Sequence, residues 1–263
     1  MWSSPRARTV DLRGGTLENL VDHVHDAGIV KVPAEDETEC IERLLHAGAV
    51  MLPQYESVRS GAIDDTVLET VASARAAQGA TSASKSKDTE YHHDGYQFQS
   101  PYRARPIAGI SNLPDVELLA FPKVVERRYL CFADLARASR ALLRDHEGRV
   151  FEHLTRPTFS VDSRYRDFDP ELRLPAPFSV AFSDELGCRF HIGGSVESSD
   201  PEASFALSLF RTYLSSAVTT ERLESGVLYV VNQRLVAHKG IRIPSIEGKT
   251  LLRRRLLKFA KEA

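Results

Sequence analysis

Two stretches near the start of the chain share one alternation of apolar and polar positions. From Thr16 to Ala27 apolar residues recur at helical spacing; Gly28 then breaks the run, and Ile29-Val30-Lys31-Val32 reads as a strand closed by Pro33. The same order returns in Asp36 to Ala47, Gly48, the apolar run Ala49-Val50-Met51-Leu52 and Pro53. Two units are too few for a solenoid, so the pattern predicts an N-terminal α/β extension over residues 1–53 that leads onto a sheet. Residues 73–90 are Ala, Ser, Lys and Gly with almost no large apolar side chain, which predicts a mobile loop, or a lid given the segment that follows.

Beyond Tyr102 the period shortens. Residues 106–113 and 116–125 are short apolar runs broken by Asn, Pro and Asp, and strand-like pieces recur at 158–161, 178–182 and 189–192. Leu135 to His146 is an amphipathic helix with Leu135, Ala138, Leu142 and Leu143 on one side, and Ala203 to Ser215 is a second. The end reads as strand (226–231), loop (239–248) and strand (251–259). Many short strands with few helices predict a mainly β chain with helices, a distorted jelly-roll barrel forming a single domain over residues 1–263.

Charge and cysteine content remove several alternatives. The 34 Lys and Arg nearly balance 36 Asp and Glu, and a net charge of −2 gives no whole-chain field for nucleic acid or an anionic membrane. Cys40, Cys131 and Cys188 are odd in number and widely spaced, which speaks against a disulfide framework or a structural zinc site. No apolar run approaches the ~20 residues of a membrane span, and residues 1–15 lack the apolar core of a secretory signal. A reduced, cytoplasmic protein with three structural thiols is the expectation, with homo-oligomer formation left open.

The densest chemistry lies in Tyr91-His92-His93-Asp94-Gly95. On a strand, His92 and Asp94 point to one face and His93 to the other. A His and a carboxylate so placed can take two adjacent positions on one metal, and Fe(II) oxygenases add one distant His and leave three positions open. His238 is the candidate for that partner, since it follows the apolar strand Val230-Val231 and the polar turn Asn232-Gln233-Arg234. His23, His25 and His46 fall in the N-terminal helices, and His146 and His153 at and just beyond a helix end. His191, alone on a strand, is the main rival but reads better as a packed residue.

His92-x-Asp94, the segment Gly226 to Arg234 leading to His238, and the basic strand after Gly248 together resemble the taurine dioxygenase and clavaminate synthase-like superfamily, most closely its small, carbapenem synthase-sized members. The resemblance in motif order runs from about Gly28 onward. It implies a double-stranded β-helix that holds Fe(II) through His92, Asp94 and His238 and uses O2 with 2-oxoglutarate as co-substrate, which leaves as succinate. A basic residue, three others and then Arg is the family's co-substrate pattern, and Lys249 with Arg253 reproduces it. A guanidinium suits a distal carboxylate because it binds bidentately, which favours Arg253, with Lys249 or Arg255 assisting. Two positions depart from the pattern. The usual Thr after the first motif is missing from Val116-Glu117-Leu118-Leu119-Ala120, and the first basic residue is Lys rather than Arg.

The expected activity is hydroxylation, desaturation or ring formation on a small polar, amino-acid-like metabolite in bacterial specialised metabolism, such as antibiotic biosynthesis. Asp94 speaks against halogenation, which in relatives accompanies loss of that carboxylate. A zinc hydrolase with the same ligands and a non-catalytic jelly-roll binding protein are the competing readings.

Overall fold

The computed structural model describes residues 7–12, 17–51, 53–57, 69–70, 90–93, 115–124, 129–162, 177–184, 187–241 and 249–258. The expected strand at 106–113, the loop or lid at 73–90 apart from Glu90, and Asp94 lie outside these residues.

The N-terminal part runs β1 (Arg8–Asp11), a helical turn at Leu17–Asn19, α1 (Leu20–Ala27), β2 (Gly28–Pro33) and α2 (Glu37–Met51). Short strands β3 (Tyr55–Ser57) and β4 (Glu69–Thr70) precede β5 (Val116–Val124) and β6 (Tyr129–Asp134). Helices α3 (Leu135–Asp145) and α4 (Arg149–Leu154) follow, then β7 (Phe159–Val161), β8 (Ala181–Asp184), β9 (Gly187–Phe190) and β10 (Val196–Ser198). The chain ends with α5 (Pro201–Ser216), β11 (Val218–Arg222), β12 (Val227–Asn232), β13 (Val236–Ile241) and β14 (Lys249–Lys258).

A large sheet is ordered β1-β2-β12-β5-β14-β3, with β4 also on β14 and only β1–β2 parallel among its described pairs. A smaller antiparallel sheet is ordered β11-β6-β13. Strand alternation stacks these sheets into layers. On β5 and β12, Leu118, Ala120, Leu228 and Val230 pack against α1 and α2, whereas Leu119, Phe121, Val227, Tyr229 and Val231 face the small sheet and meet Leu130, Phe132 and Val236. The far side of the small sheet, through Cys131, Ala133 and Ala237, joins a core built with α3, α4 and α5. Burial on both faces explains why these central strands read as continuous apolar runs rather than alternating ones.

The second N-terminal unit is not a copy of the first. The helix runs on through Gly48 to Met51, so residues 49–51 of the expected strand are helical. Cys40, Leu44, Ala47, Gly48 and Met51 are its buried residues, so the helical stripe continues past the glycine and packing holds the turn in place. Gly28, by contrast, ends α1 in the left-handed region (φ 82°) and starts a strand. Sequence reading also missed β6, α4 and β11. The span read as a loop at 239–248 begins as strand, because β13 extends through Ile241. Two helix starts are set by side-chain caps: Asp134 accepts from Arg137 N–H, and Asp200 accepts from Glu202 and Ala203 N–H ahead of Pro201.

Gly226 leads into β12, the central strand between β2 and β5. Its N–H donates to Phe121 O, its carbonyl accepts from Ala34 N–H, and its φ is 72°. A Cβ there would sit 2.8 Å from Ala34 O. Gly226→Ala combines left-handed strain with a backbone clash, so a loss of about 2 kcal/mol or more is expected in denaturant melts. An unchanged midpoint would contradict this.

Candidate metal and co-substrate site

The two histidines singled out in sequence, 146 positions apart, stand opposite each other. His92 and His238 form an antiparallel bridge, with His92 N–H donating to His238 O (3.0 Å) and His238 N–H to His92 O (3.1 Å). Their rings lie 4.7 Å apart between centroids at 52°. His238 sits in the middle of β13, opposite Phe132 of β6, and is 5% exposed.

Three contacts hold the His92 segment. The His92 Nδ1–H donates to Glu90 O (2.9 Å), which places the ring proton on Nδ1 and the lone pair on Nε2. The Glu90 carboxylate pairs with Arg211 of α5 at 3.1 Å, and the same guanidinium donates to Gly193 O and Val196 O. Between them, the Tyr91 ring is buried and carries the Lys239 ammonium over its face at 4.4 Å.

His93 points elsewhere. Its N–H donates to Ile192 O and its Nδ1–H to Phe190 O at 2.9 Å. Burial, reinforced by the nearby Arg189 charge, pushes its pKa down to about 3, so the ring is neutral at physiological pH. His191, the rival candidate, is fully buried and stacks on Phe178 with centroids 3.8 Å apart, as a packed residue does. His153 lies within α4 rather than beyond a helix end.

Behind the histidine pair lies a buried polar group that sequence reading passed over. Asp115 Oδ1 takes Arg189 at 3.3 Å and also Arg234, joining the entry to β5, strand β9 and the β12–β13 turn. The Gln233 N–H donates to Asp115 O, and the buried Gln233 amide has no hydrogen-bond partner among the described residues. Two positions on from Asp115, on the same face of β5, Glu117 is 0% exposed and its Oε2 stands 3.7 Å from His238 Nε2. The sequence signal was available: Glu117 is an acidic residue inside the apolar run Val116 to Phe121.

The basic strand β14 is placed by register. Arg253 is opposite Leu119, Arg254 opposite Leu118 and Arg255 opposite Glu117. Leu119 and Glu117 face the small sheet and the histidines, whereas Leu118 faces the helices. Arg253 and Arg255 are therefore register partners of β5 residues that face the histidines, and Arg254 of one that faces the helices. Lys249 is opposite Val124, seven residues from Glu117 along β5, or about 24 Å at ~3.4 Å per residue.

Among the described residues, no three His, Cys, Asp or Glu side chains form a metal-holding group. Two of the three sequence-derived ligands, His92 and His238, do come together; Asp94 is not among the described residues. Paired imidazoles, one with its tautomer fixed by a carbonyl, suit a first-row divalent metal such as Fe(II) and fit the expected group.

No protein-family profile matches the chain, and no curated protein matches it. Solved structures do. A structure titled AAD-2 in complex with Mn(II) and N-oxalylglycine is 13% identical, with TM-score 0.62, covering 100% of this chain and 98% of its own. The non-haem iron oxygenase OrfP with Fe, succinate and (3S)-hydroxy-L-Arg is 11% identical, with TM-score 0.60 and coverages of 93% and 81%. An asparagine oxygenase with Fe(II), 2S,3S-3-hydroxyasparagine and succinate is 16% identical, with TM-score 0.58 and coverages of 91% and 77%. Over nearly its whole length, the chain has the fold of non-haem iron oxygenases that bind 2-oxoglutarate, its analogue or succinate.

Proposed function

We propose that the chain is an Fe(II)- and 2-oxoglutarate-dependent oxygenase of jelly-roll type that hydroxylates a small, amino-acid-like molecule. The observation that carries this reading is the His92–His238 bridge, two imidazoles ring to ring inside an oxygenase fold. His92, His238 and Asp94 would hold the metal. Bound iron supplies the oxidation that converts 2-oxoglutarate and O2 to succinate, CO2 and an oxidised substrate. The chain's own residues position and shield. Glu90 fixes the His92 tautomer, Arg211 fixes Glu90, and the apolar layer of Leu119, Phe132 and Tyr229 keeps water from the site's inner wall. Support for an amino-acid-like substrate comes from two of the structural neighbours, which are in complex with 2S,3S-3-hydroxyasparagine and (3S)-hydroxy-L-Arg.

Arg253 is assigned to the distal carboxylate of 2-oxoglutarate. Its register partner, Leu119, is one pleat from Glu117 on the histidine side, within the span of a five-carbon diacid, whereas Lys249 is too far along the strand. Losing a charge-assisted bond to a buried anion costs roughly 1.5–3 kcal/mol, so Arg253→Ala raises the 2-oxoglutarate Kd about ten- to a hundredfold. Arg254→Ala and Lys249→Ala leave it within about threefold. Binding titrations on the three variants, with succinate release over an amino-acid panel, test the reading. Damage confined to Arg254→Ala would mean a register shifted by one residue. Zinc-dependent hydrolysis without succinate would replace the oxygenase reading.

A further inference from the structure

The segment that carries His92 has little backbone pairing to hold it. Among the described residues, 90–93 form no ladder: His92 makes an isolated bridge with His238, and His93 N–H donates to Ile192 O. A strand is held by repeated pairs, so one bridge fixes a point rather than a direction. Direction has to come from side chains, and Arg211 of α5 is placed to supply it. Its Nε stands 3.1 Å from the Glu90 carboxylate, and its Nη2 donates to Gly193 O (2.9 Å) and Val196 O (3.0 Å). The paired atoms, Glu90 Oε2 and Arg211 Nε, are shielded from water, so their attraction is screened less than at an open surface. Helix α5 is a firm base: Asp200 caps its start, and Ala203, Ala206, Leu207, Phe210 and Leu214 are buried along it. Glu90 O in turn accepts from His92 Nδ1–H at 2.9 Å. One guanidinium thus connects a helix, the turn at 193–196 and the residue whose carbonyl sets the His92 ring.

We propose that Arg211 is a positioning residue of the metal site: through Glu90 it holds His92 in the tautomer and orientation that present Nε2 to a divalent cation. The proposal rests on the metal-site reading above and extends it to a helix that carries no ligand. Partners that orient a ligating histidine commonly change metal affinity ten- to a hundredfold when they are lost. Arg211 acts at one remove, through Glu90, so its loss belongs at the lower end, about tenfold. Lys is an incomplete substitute. An ammonium is a point charge, whereas the planar fork meets a carboxylate and two carbonyls from one fixed frame. A merely structural Arg211 would change the melting temperature and leave the His92 tautomer alone.

Four variants separate these roles: Arg211→Met, Arg211→Lys, Glu90→Gln and the double variant Glu90→Gln with Arg211→Met. Glu90→Gln keeps the Arg211 bonds to Gly193 O and Val196 O and removes only the charge that Arg211 meets. It therefore reports on positioning even where Arg211→Met folds poorly. Mn(II) binding is measured by calorimetry on the full chain without oxygen or turnover, alongside thermal melts. The His92 tautomer is read from nitrogen NMR spectra of the metal-free protein at mildly alkaline pH, where imidazoles are neutral. Arg211→Met and Glu90→Gln are each expected to bind Mn(II) about tenfold more weakly and to show an Nε2–H form of His92 beside the Nδ1–H form. The double variant is expected to be no weaker than Arg211→Met, because the pair acts as one unit. Arg211→Lys falls between wild type and Arg211→Met. Wild-type Mn(II) affinity in Glu90→Gln overturns the proposal. So does an additive loss in the double variant, or a single unchanged His92 tautomer in all four. Wild type that binds neither Mn(II) nor Fe(II) overturns the metal-site reading itself, while the tautomer spectra still decide whether Arg211 sets the His92 ring.

Discussion

His92→Ala and His238→Ala are each expected to weaken Fe(II) or Mn(II) binding by about a hundredfold or more, beyond the effect typical of outer partners, while the protein stays folded. His93→Ala is expected to do the reverse. The two neighbours share a backbone but not an environment. The ring of His92 faces that of His238, and its Nδ1–H is tied back to its own segment at Glu90 O. The ring of His93, 1% exposed, bonds Phe190 O on β9. Truncating it removes that hydrogen bond and leaves a cavity, at a cost of about 2–4 kcal/mol, with metal affinity spared. Calorimetric metal titration and chemical denaturation on the three variants separate the effects. If His93→Ala lost the metal and His92→Ala kept it, the ligand face would be misassigned.

Asp115→Ala is expected to be the most destabilising single change in the described part of the site. One carboxylate, 3% exposed, serves Arg189 and Arg234, and through them it ties the start of β5 to β9 and to the turn that leads into β13. Removing one partner of a buried ion pair costs about 3–5 kcal/mol, because the charges that remain were desolvated on the assumption of a counter-charge. For a chain of this size that is a fall in melting temperature on the order of 10 °C. Because β13 carries His238, metal affinity should drop with it. A melting temperature within about 1 °C of wild type would show that the cluster is not a structural clamp.

Much of the site was legible because its chemistry is periodic. The i, i+2 spacing separates His92 from His93 on any extended backbone, and their rings do part in the structure: one goes to His238, the other to Phe190 O. The distant His238 was legible from the strand and turn before it, and it lies in the strand that follows that turn. What escaped was set by tertiary contacts. Gly48 looked like a helix stop, but the buried stripe from Cys40 to Met51 carried the helix through it. Strand β6 was hidden because its six residues run straight into the cap of α3 at Asp134. Asp115, Arg189 and Arg234 are single charged residues in three separate segments, and nothing local marks them as one cluster. Glu117 was noticed only as the absence of a threonine, and its burial beside His238 is visible only once the two sheets are stacked.

The central claim is that this fold holds a metal which in turn holds a 2-oxoacid. Anaerobic addition of 2-oxoglutarate to Fe(II)-loaded protein tests it most directly, since chelation by the oxoacid gives a visible metal-to-ligand charge-transfer band. The account predicts a saturable band in wild type, lost in His92→Ala and His238→Ala and shifted to higher 2-oxoglutarate concentration in Arg253→Ala. A metal-loaded wild-type protein that shows no band at any 2-oxoglutarate concentration would contradict it.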